Sequence, residues 1–214
     1  MLKLLAVIVL LLVVLTACTF LHGLDVGENI EFGEYSWIVL DIQGRSALII
    51  TENVIDMRPF SVADDATTWE NSSIRNWLNT DFYYSFDLAD RNRIIESEIV
   101  NSDNNWFESY AGRDTVDNIF LLSIDEALLY FGGGKRGDVY NEYVGLVGIW
   151  GERDNERIAY DADGQARWWR LRSPGQHDNF TANVSVDGSV NIQGTKNYGQ
   201  VVWVRPVMRI RIVP

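Results

Sequence analysis

Strand-like runs stand at both ends of the chain, and no helical segment alternates with them in the β-α-β order of a parallel sheet. Near the start, Ile30–Ile42 and Ser46–Thr51 are rich in β-branched and aromatic residues and flank the break Gln43-Gly44. This pattern predicts a hairpin. We expect this hairpin to share one sheet with the last strand region, Val201–Val213, which Pro206 interrupts. The fold class predicted is therefore α+β, with a mainly antiparallel sheet, a few short helices and long loops.

The second half of the chain adds a meander. Arg167–Arg172 reads as a strand that Ser173-Pro174-Gly175 closes. Thr181–Val186 and Ser189–Gln193 then flank Asp187-Gly188, a strong hairpin signal. Antiparallel pairing is thus predicted again near the end of the chain.

Three short helices are predicted. The first begins near residue 72, where polar side chains can cap it and apolar residues follow at helical spacing. Its stripe is Ile74, Trp77, Leu78 and Phe82. The second follows Asp87 and carries a stripe formed by Leu88, Arg91, Ile94 and Ile95. The third follows the capping box of Ser123 and Glu126 and extends to about Phe131. Residues 57–68, 101–118 and 135–165 lack this periodicity and are predicted to form loops.

Composition excludes several classes of protein. The net charge of −12 argues against nucleic-acid binding, which needs a basic surface, and against docking on anionic lipid by charge. One cysteine excludes a disulfide framework and a thiolate zinc site. Only two histidines are present, His22 and His177, and nothing in the sequence brings either one to a nucleophile. We therefore predict no cofactor and favour binding over catalysis.

The first residues of the chain predict where in the cell the protein is located. Leu4–Leu15 is an apolar run too short to span a bilayer as a helix, and it resembles the core of a secretory signal. Leu15-Thr16-Ala17-Cys18 resembles the bacterial lipobox. We predict a signal peptide at 1–17, a lipidated tether at 18–26 and a single globular domain at 27–214. An ordinary signal peptide and a membrane-spanning anchor remain the alternatives.

Five ordered segments carry a resemblance to a known family. The segments are Phe32–Leu40, Trp69–Asn79, Phe120–Glu126, Trp168–Gly175 and Val204–Pro206. Together they resemble the bacterial family called domain of unknown function 6273, over about Ile30 to Pro214. Arg170 departs from the family pattern because it interrupts a run of tryptophans, and Trp203 stands where a small residue usually precedes Val-Arg-Pro. At a looser level the late meander resembles C-type-lectin-like folds, which implies ligand binding by the long loops.

The candidate binding residues lie mostly in predicted loops. They are Trp106, Tyr110, Trp150, Tyr160 and Arg172. For Arg172, and for Arg75, the alternative is a buried guanidinium paired to a carboxylate. Asp161 and Asp163 resemble the start of a calcium loop, but Arg172 stands where an EF-hand needs glutamate, so no metal site is predicted.

These features predict a lipoprotein on the extracytoplasmic face of a bacterial envelope, held to the membrane by its lipid and binding a glycan or a protein. Two alternatives remain open. One is a carboxylate-based glycoside hydrolase, because the chain holds 30 acidic residues and the sequence singles out none. The other is a structural envelope component without a ligand.

Cys18→Ser tests the anchor. The thioether to lipid needs a thiol sulfur, and the chain has no second cysteine. We expect the variant to lose incorporation of a fatty-acid probe and to move to the aqueous phase in detergent partitioning, unless the uncleaved signal retains it. Equal labelling of the variant and the wild type would refute lipidation at this residue.

Overall fold

A computed structural model describes residues 23–63, 65–131 and 155–212. Cys18, Trp150 and the apolar run Leu4–Leu15 lie outside these ranges, so the predictions made for them stay predictions. Within the described ranges, no helix is long and apolar enough to cross a membrane.

The described chain contains fifteen strands and four short α-helices. The strands are β1 Asn29–Phe32, β2 Tyr35–Gln43, β3 Ser46–Thr51, β4 Asp56–Arg58, β5 Ile94–Ile95, β6 Ser97–Ile99, β7 Thr115–Asp117, β8 Ile119–Phe120, β9 Ala159–Tyr160, β10 Ala166–Arg167, β11 Trp169–Pro174, β12 Phe180–Val184, β13 Val190–Lys196, β14 Val202–Val204 and β15 Val207–Arg211. The helices are α1 Ser73–Trp77, α2 Tyr83–Ser85, α3 Leu88–Arg91 and α4 Ile124–Tyr130. A π-helical turn, Leu78–Phe82, joins α1 to α2.

Two sheets form the body of the fold. The first has six strands, in the order β1-β2-β3-β15-β5, with β8 also paired to β15. The second has five strands, in the order β13-β12-β11-β14-β4. Two further pairs, β6-β7 and β9-β10, stand apart. All these pairings are antiparallel except β11 with β14, so the predicted α+β class with mainly antiparallel sheet is confirmed for the described chain.

The two predicted hairpins are present. Gly44, with φ of 59°, turns β2 into β3. Gly188, with φ of 80°, lies in the turn between β12 and β13, where Asp187 Oδ1 accepts a hydrogen bond from the Ser189 hydroxyl at 2.5 Å. Both glycines occupy the left-handed region that other residues rarely adopt, which is why these sequence signals were reliable.

Helix caps also follow the sequence. The Ser72 hydroxyl caps α1 by accepting from the Arg75 backbone N–H at 3.2 Å, and Asp87 caps α3 in the same way. The capping box of Ser123 and Glu126 begins α4. Of the first apolar stripe, Trp77 is half-buried, and the Arg58 guanidinium stacks 4.0 Å from the centre of its ring.

Three local predictions were wrong. The second helix ends at Arg91 instead of continuing to Ile95, because Ile94 and Ile95 form β5 against the edge of β15. The segment 57–68 begins within a strand, since Met57 pairs with Trp203. The segment 101–118 ends in β7, which pairs with β6. In each case a distant partner strand supplies hydrogen bonds that the local sequence does not reveal.

The last strand region is split between the two sheets. β15 joins the first hairpin as expected, pairing with β3, but β14 belongs to the second sheet. Pro206, which has no N–H to donate to a ladder, stands at the crossing. One hydrophobic cluster nevertheless runs through both sheets, and partly buried Leu24 packs against it from the start of the described chain.

Arg205 lies at this crossing and is 1% exposed. Its Nε donates to the Thr51 carbonyl at 2.8 Å and its Nη2 to the Glu52 carbonyl at 3.1 Å, at the end of β3. The guanidinium also lies 5.1 Å from the ring centre of Trp169 and 5.2 Å from that of Phe131. Burial lowers the pKa of Arg205 to about 9, so the side chain is still a cation at neutral pH.

Arg205→Ala should lower the free energy of unfolding by about 3–5 kcal/mol, because it leaves a cavity between the sheets and two carbonyl oxygens without donors. Arg211→Ala is the control, since the exposed side chain of Arg211 donates to the Asn92 carbonyl at the surface, and its loss should cost about 0.5 kcal/mol or less. Urea unfolding followed by tryptophan fluorescence measures both. Equal losses in the two variants would contradict the role given to Arg205.

Candidate functional site

Three loops converge on a cleft of about 440 Å³ beyond the last residue of β11. They come from the segment after β4, the polar loop after β6 and the turn between β11 and β12. The lining residues are Asp65, Ala66, Phe107, Glu108, Ser109, Gln176, His177, Asp178 and Asn179.

Asn104 fixes the loop after β6. It is 1% exposed, and its Nδ2 donates to the carbonyls of Pro174 at 2.9 Å and Ile192 at 3.0 Å, at β11 and β13. Its backbone also pairs with Ser109 across a tight turn. Within this turn Glu108 has φ of 56°, the left-handed region, at a cost of about 1 kcal/mol. The turn thus holds Glu108 at the cleft in a conformation it would not adopt alone.

The turn between β11 and β12 forms the opposite wall. Gln176 N–H donates to the Gln193 carbonyl at 2.8 Å, and Phe180 N–H donates to the His177 carbonyl at 2.9 Å. Gly175 allows this approach, because a Cβ there would lie 2.3 Å from the Gln193 carbonyl oxygen. The chain therefore passes closely over β13 and presents His177, Asp178 and Asn179 to the cleft.

A chain of buried hydrogen bonds connects Arg170 to Asp65, which lies in the segment after β4 and forms the third wall of the cleft. Arg170, fully buried, donates from Nη1 to the Thr181 hydroxyl at 2.6 Å, and that hydroxyl donates to Asn197 Oδ1 at 2.6 Å. Asn197 Nδ2 donates to the Thr67 carbonyl at 3.3 Å, and the Thr67 hydroxyl donates to Asp65 Oδ1 at 2.6 Å. The position of Asp65 is therefore tied to the interior of the second sheet.

Arg170 forms no ion pair with a carboxylate in the described chain. Burial lowers its pKa to about 10, and its charge is met by hydroxyl and carbonyl oxygens instead. Arg170 is one of the two positions at which the sequence departs from the family pattern.

The cleft is acidic. Asp65, Glu108 and Asp178 line it, and neither lysine nor arginine is among its described lining residues. These carboxylates do not converge on a metal site, since no group of three or more metal-binding side chains is found among the described residues. The arrangement can accept hydrogen bonds from hydroxyl or amine groups through carboxylate oxygens, and the amides Gln176 and Asn179 can both accept and donate.

Two of the predicted aromatic residues belong to this region. Trp106 and Tyr110 lie on the same loop as Phe107, with Trp106 half-buried against the core and Tyr110 60% exposed. Tyr160 lies elsewhere: β9 pairs with β10, which leads into the first residue of β11, whereas the cleft lies beyond its last residue. Trp106 and Tyr110 therefore lie on a loop that lines the cleft, although neither is among its lining residues, and Tyr160 lies away from this loop.

Arg172 occupies an interior position and is 3% exposed. It forms an ion pair with Glu126, with Nη2 3.0 Å from Oε1, and Nη1 also donates to the Leu121 carbonyl at 2.7 Å. The guanidinium thus joins α4 to β11. The alternative interpretation, a buried guanidinium paired to a carboxylate, describes these surroundings. Contact of Arg172 with a ligand stays a prediction.

Asp161 closes a turn. Its Oδ1 accepts from the backbone N–H groups of Gln165 at 2.9 Å and Asp163 at 3.0 Å, and its Oδ2 accepts from Arg167 Nε at 2.5 Å. Both carboxylate oxygens are thus occupied by protein donors, and Asp163 is exposed beside them. This geometry accounts for the aspartate pattern without a calcium ion.

Comparison with known proteins supplies a family and no activity. A family model described as "Domain of unknown function (DUF6273)" matches residues 44–212. The match includes four of the five resembling segments and begins after the first, Phe32–Leu40. Neither a curated protein nor a solved structure matches the chain, so the likeness to C-type-lectin-like folds stays a prediction.

Asp161→Asn tests the turn through its pH dependence. The hydrogen bond from Gln165 N–H and the contact with Arg167 hold the pKa of Asp161 below its ordinary value. The ionised carboxylate therefore stabilises the fold above the unfolded-state pKa, and this contribution is lost as the pH falls through the lower folded-state pKa. We expect the variant to unfold more easily than the wild type at pH 7, and the difference to shrink in acid. A difference that does not change with pH would contradict this.

Proposed function

The chain belongs to the DUF6273 family, whose description names no activity, and we propose from its own residues that it is a lipid-anchored extracytoplasmic lipoprotein that binds a glycan in the cleft. The cleft supports this proposal most directly, because carboxylate, amide and hydroxyl groups line it and Phe107 is among its lining residues. Sugars present dense hydroxyl groups to such acceptors and donors, and their apolar faces stack on aromatic rings.

A glycan fits the site better than a protein partner does. The lining is mostly polar, whereas the centre of a protein interface is apolar and an interface covers about 800 Å² on each partner. The cleft measures about 440 Å³, the size of a small-molecule site. Exposed Tyr110 beside it adds an aromatic surface at which the second unit of a saccharide can stack.

The proposed location rests on the first residues of the chain. If Cys18 carries the lipid, the described chain begins five residues later, at Gly23. Because Leu24 already packs against the core, the free tether would span at most about 20 Å. The domain would then stay close to the membrane surface, in contact with glycans of the envelope or of the surroundings.

A carboxylate-based glycoside hydrolase is the second candidate, because Asp65, Glu108 and Asp178 line one cleft. Retaining and inverting hydrolases use two carboxyl groups about 5–10 Å apart. The two candidates separate on product: a binding protein returns the glycan intact, whereas a hydrolase releases new reducing ends.

An array of bacterial and host glycans, probed with the purified protein, tests the proposal. We expect at least one glycan class to bind, and Asp178→Ala and Glu108→Ala each to weaken that binding about tenfold, the effect of losing one hydrogen bond to a charged group. Glu31→Ala, which removes an exposed carboxylate from β1 outside the cleft, should leave binding unchanged.

Binding that is indifferent to both cleft substitutions would move the site elsewhere. Absence of binding to every glycan would overturn the proposal. Release of reducing ends by the wild type but not by Glu108→Ala would establish the hydrolase instead.

A further inference from the structure

A second polar depression lies next to the cleft. This groove measures about 540 Å³ and follows the exposed side of α1. Its lining residues are Ser61, Val62, Glu70, Asn71, Ser72, Ser73, Arg75, Asn76 and Asn79. Amide and hydroxyl side chains predominate in it, which is the composition that hydrogen-bonds to neutral polar ligands.

The floor of the groove is fixed by side chains that already have partners. Arg75 Nε donates to Asp117 Oδ1 at 2.6 Å, and Asp117 Oδ2 accepts from Trp69 Nε1 at 3.0 Å. Asn79 Nδ2 donates to the Ile119 carbonyl at 2.8 Å. Glu70 pairs with Arg113 at 2.8 Å. The charged groups at the groove are thus matched within the protein, and the exposed amides Asn71 and Asn76 remain toward solvent.

One loop separates the groove from the cleft. Ser61 and Val62 line the groove, and Asp65 and Ala66, a few residues later on the same loop, line the cleft. An extended chain covers about 11 Å between Val62 and Asp65 at most. This loop forms a ridge between the two depressions, and the described chain leaves Val62 on it 73% exposed.

The ridge is held from both sides. Ser61 N–H donates to the Asn197 carbonyl at 3.0 Å, on the side of the second sheet. The Ser73 hydroxyl donates to the Phe60 carbonyl at 3.1 Å, on the side of α1, and the Phe60 ring is fully buried. The Thr67 hydroxyl contacts both Ser61 Oγ, at 3.1 Å, and Asp65. The described residues at the two ends of this loop, Ser61 and Thr67, are therefore held by hydrogen bonds to the rest of the protein.

We propose that the cleft and the groove are subsites of one extended site, which takes an oligosaccharide chain that crosses the ridge at Val62. This inference rests on the proposed function and adds the form of the glycan: a chain of several units instead of one terminal sugar. The acidic cleft takes a unit with hydroxyl or amine donors. The groove, whose charges are matched internally, takes neutral units through Asn71 and Asn76.

Two subsites on one rigid frame have a measurable consequence. Once one unit occupies the cleft, the units attached to it meet the groove at high effective concentration. Affinity therefore rises with the length of the saccharide until both subsites are filled, and then stays constant.

Calorimetric titration with β-1,4-linked N-acetylglucosamine oligomers of one to six units, and with the matching glucose oligomers, tests this. For a series that binds, the wild-type Kd should fall at least about tenfold between the disaccharide and the tetrasaccharide. Asn76→Ala should remove that gain and leave the Kd of the disaccharide unchanged. Asn92→Ala, the loss of an exposed asparagine at the end of α3 that lines neither depression, should change neither value.

The possible failures are distinct. A Kd independent of length, or an Asn76→Ala effect equal for disaccharide and tetrasaccharide, would overturn the extended site and leave glycan binding in the cleft standing. Absence of binding by both series at millimolar concentration would overturn the extended site. The glycan array then decides separately whether the cleft binds sugars at all.

Discussion

The guanidinium of Arg205 lies where the chain leaves one sheet and enters the other, and it bonds to the end of β3 while stacking on Trp169. Pro206, which has no N–H to donate to a ladder, follows Arg205, and these two residues lie between β14 and β15 and connect the two sheets. The position of the first hairpin, β2 and β3, relative to the meander of β11, β12 and β13 depends on this connection between the sheets. The loops that form the cleft depend in turn on the meander, since they begin or anchor at β11 and β13.

Arg170 is a second buried cation, and its hydrogen bonds lead toward the cleft. Arg170 lies inside the five-stranded sheet, and its hydrogen bonds lead through Thr181, Asn197 and Thr67 to Asp65. A buried charge without a carboxylate partner is costly unless oxygens surround it closely. Here those oxygens come from Thr181 on β12 and from Thr195 and Lys196 on β13. The Thr181 hydroxyl then continues the network through Asn197 to the Thr67 carbonyl, next to the segment that carries Asp65.

Local signals in the sequence were reliable where one segment contains the whole physical cause. The capping box at Ser123 and the glycine turn at Gly188 are complete within a few residues, and both are present. Ile94 and Ile95 show the opposite case. Their spacing fits a helical stripe, yet they form a strand because the edge of β15, more than a hundred residues later, offers hydrogen bonds.

The sequence by itself determined the class of fold, the hairpins, the helix starts and the family, because periodicity, caps and turn glycines act over short distances. It also supports the prediction of a lipidated Cys18, which lies outside the described residues. Only the tertiary structure decided the site. Asp65, Glu108 and Asp178 come from three loops far apart in the chain, and Asn104, Gly175 and Asn197 bring them together through contacts that no local pattern contains. Only the tertiary structure, likewise, places the Arg172 guanidinium against Glu126 and two backbone carbonyls inside the protein.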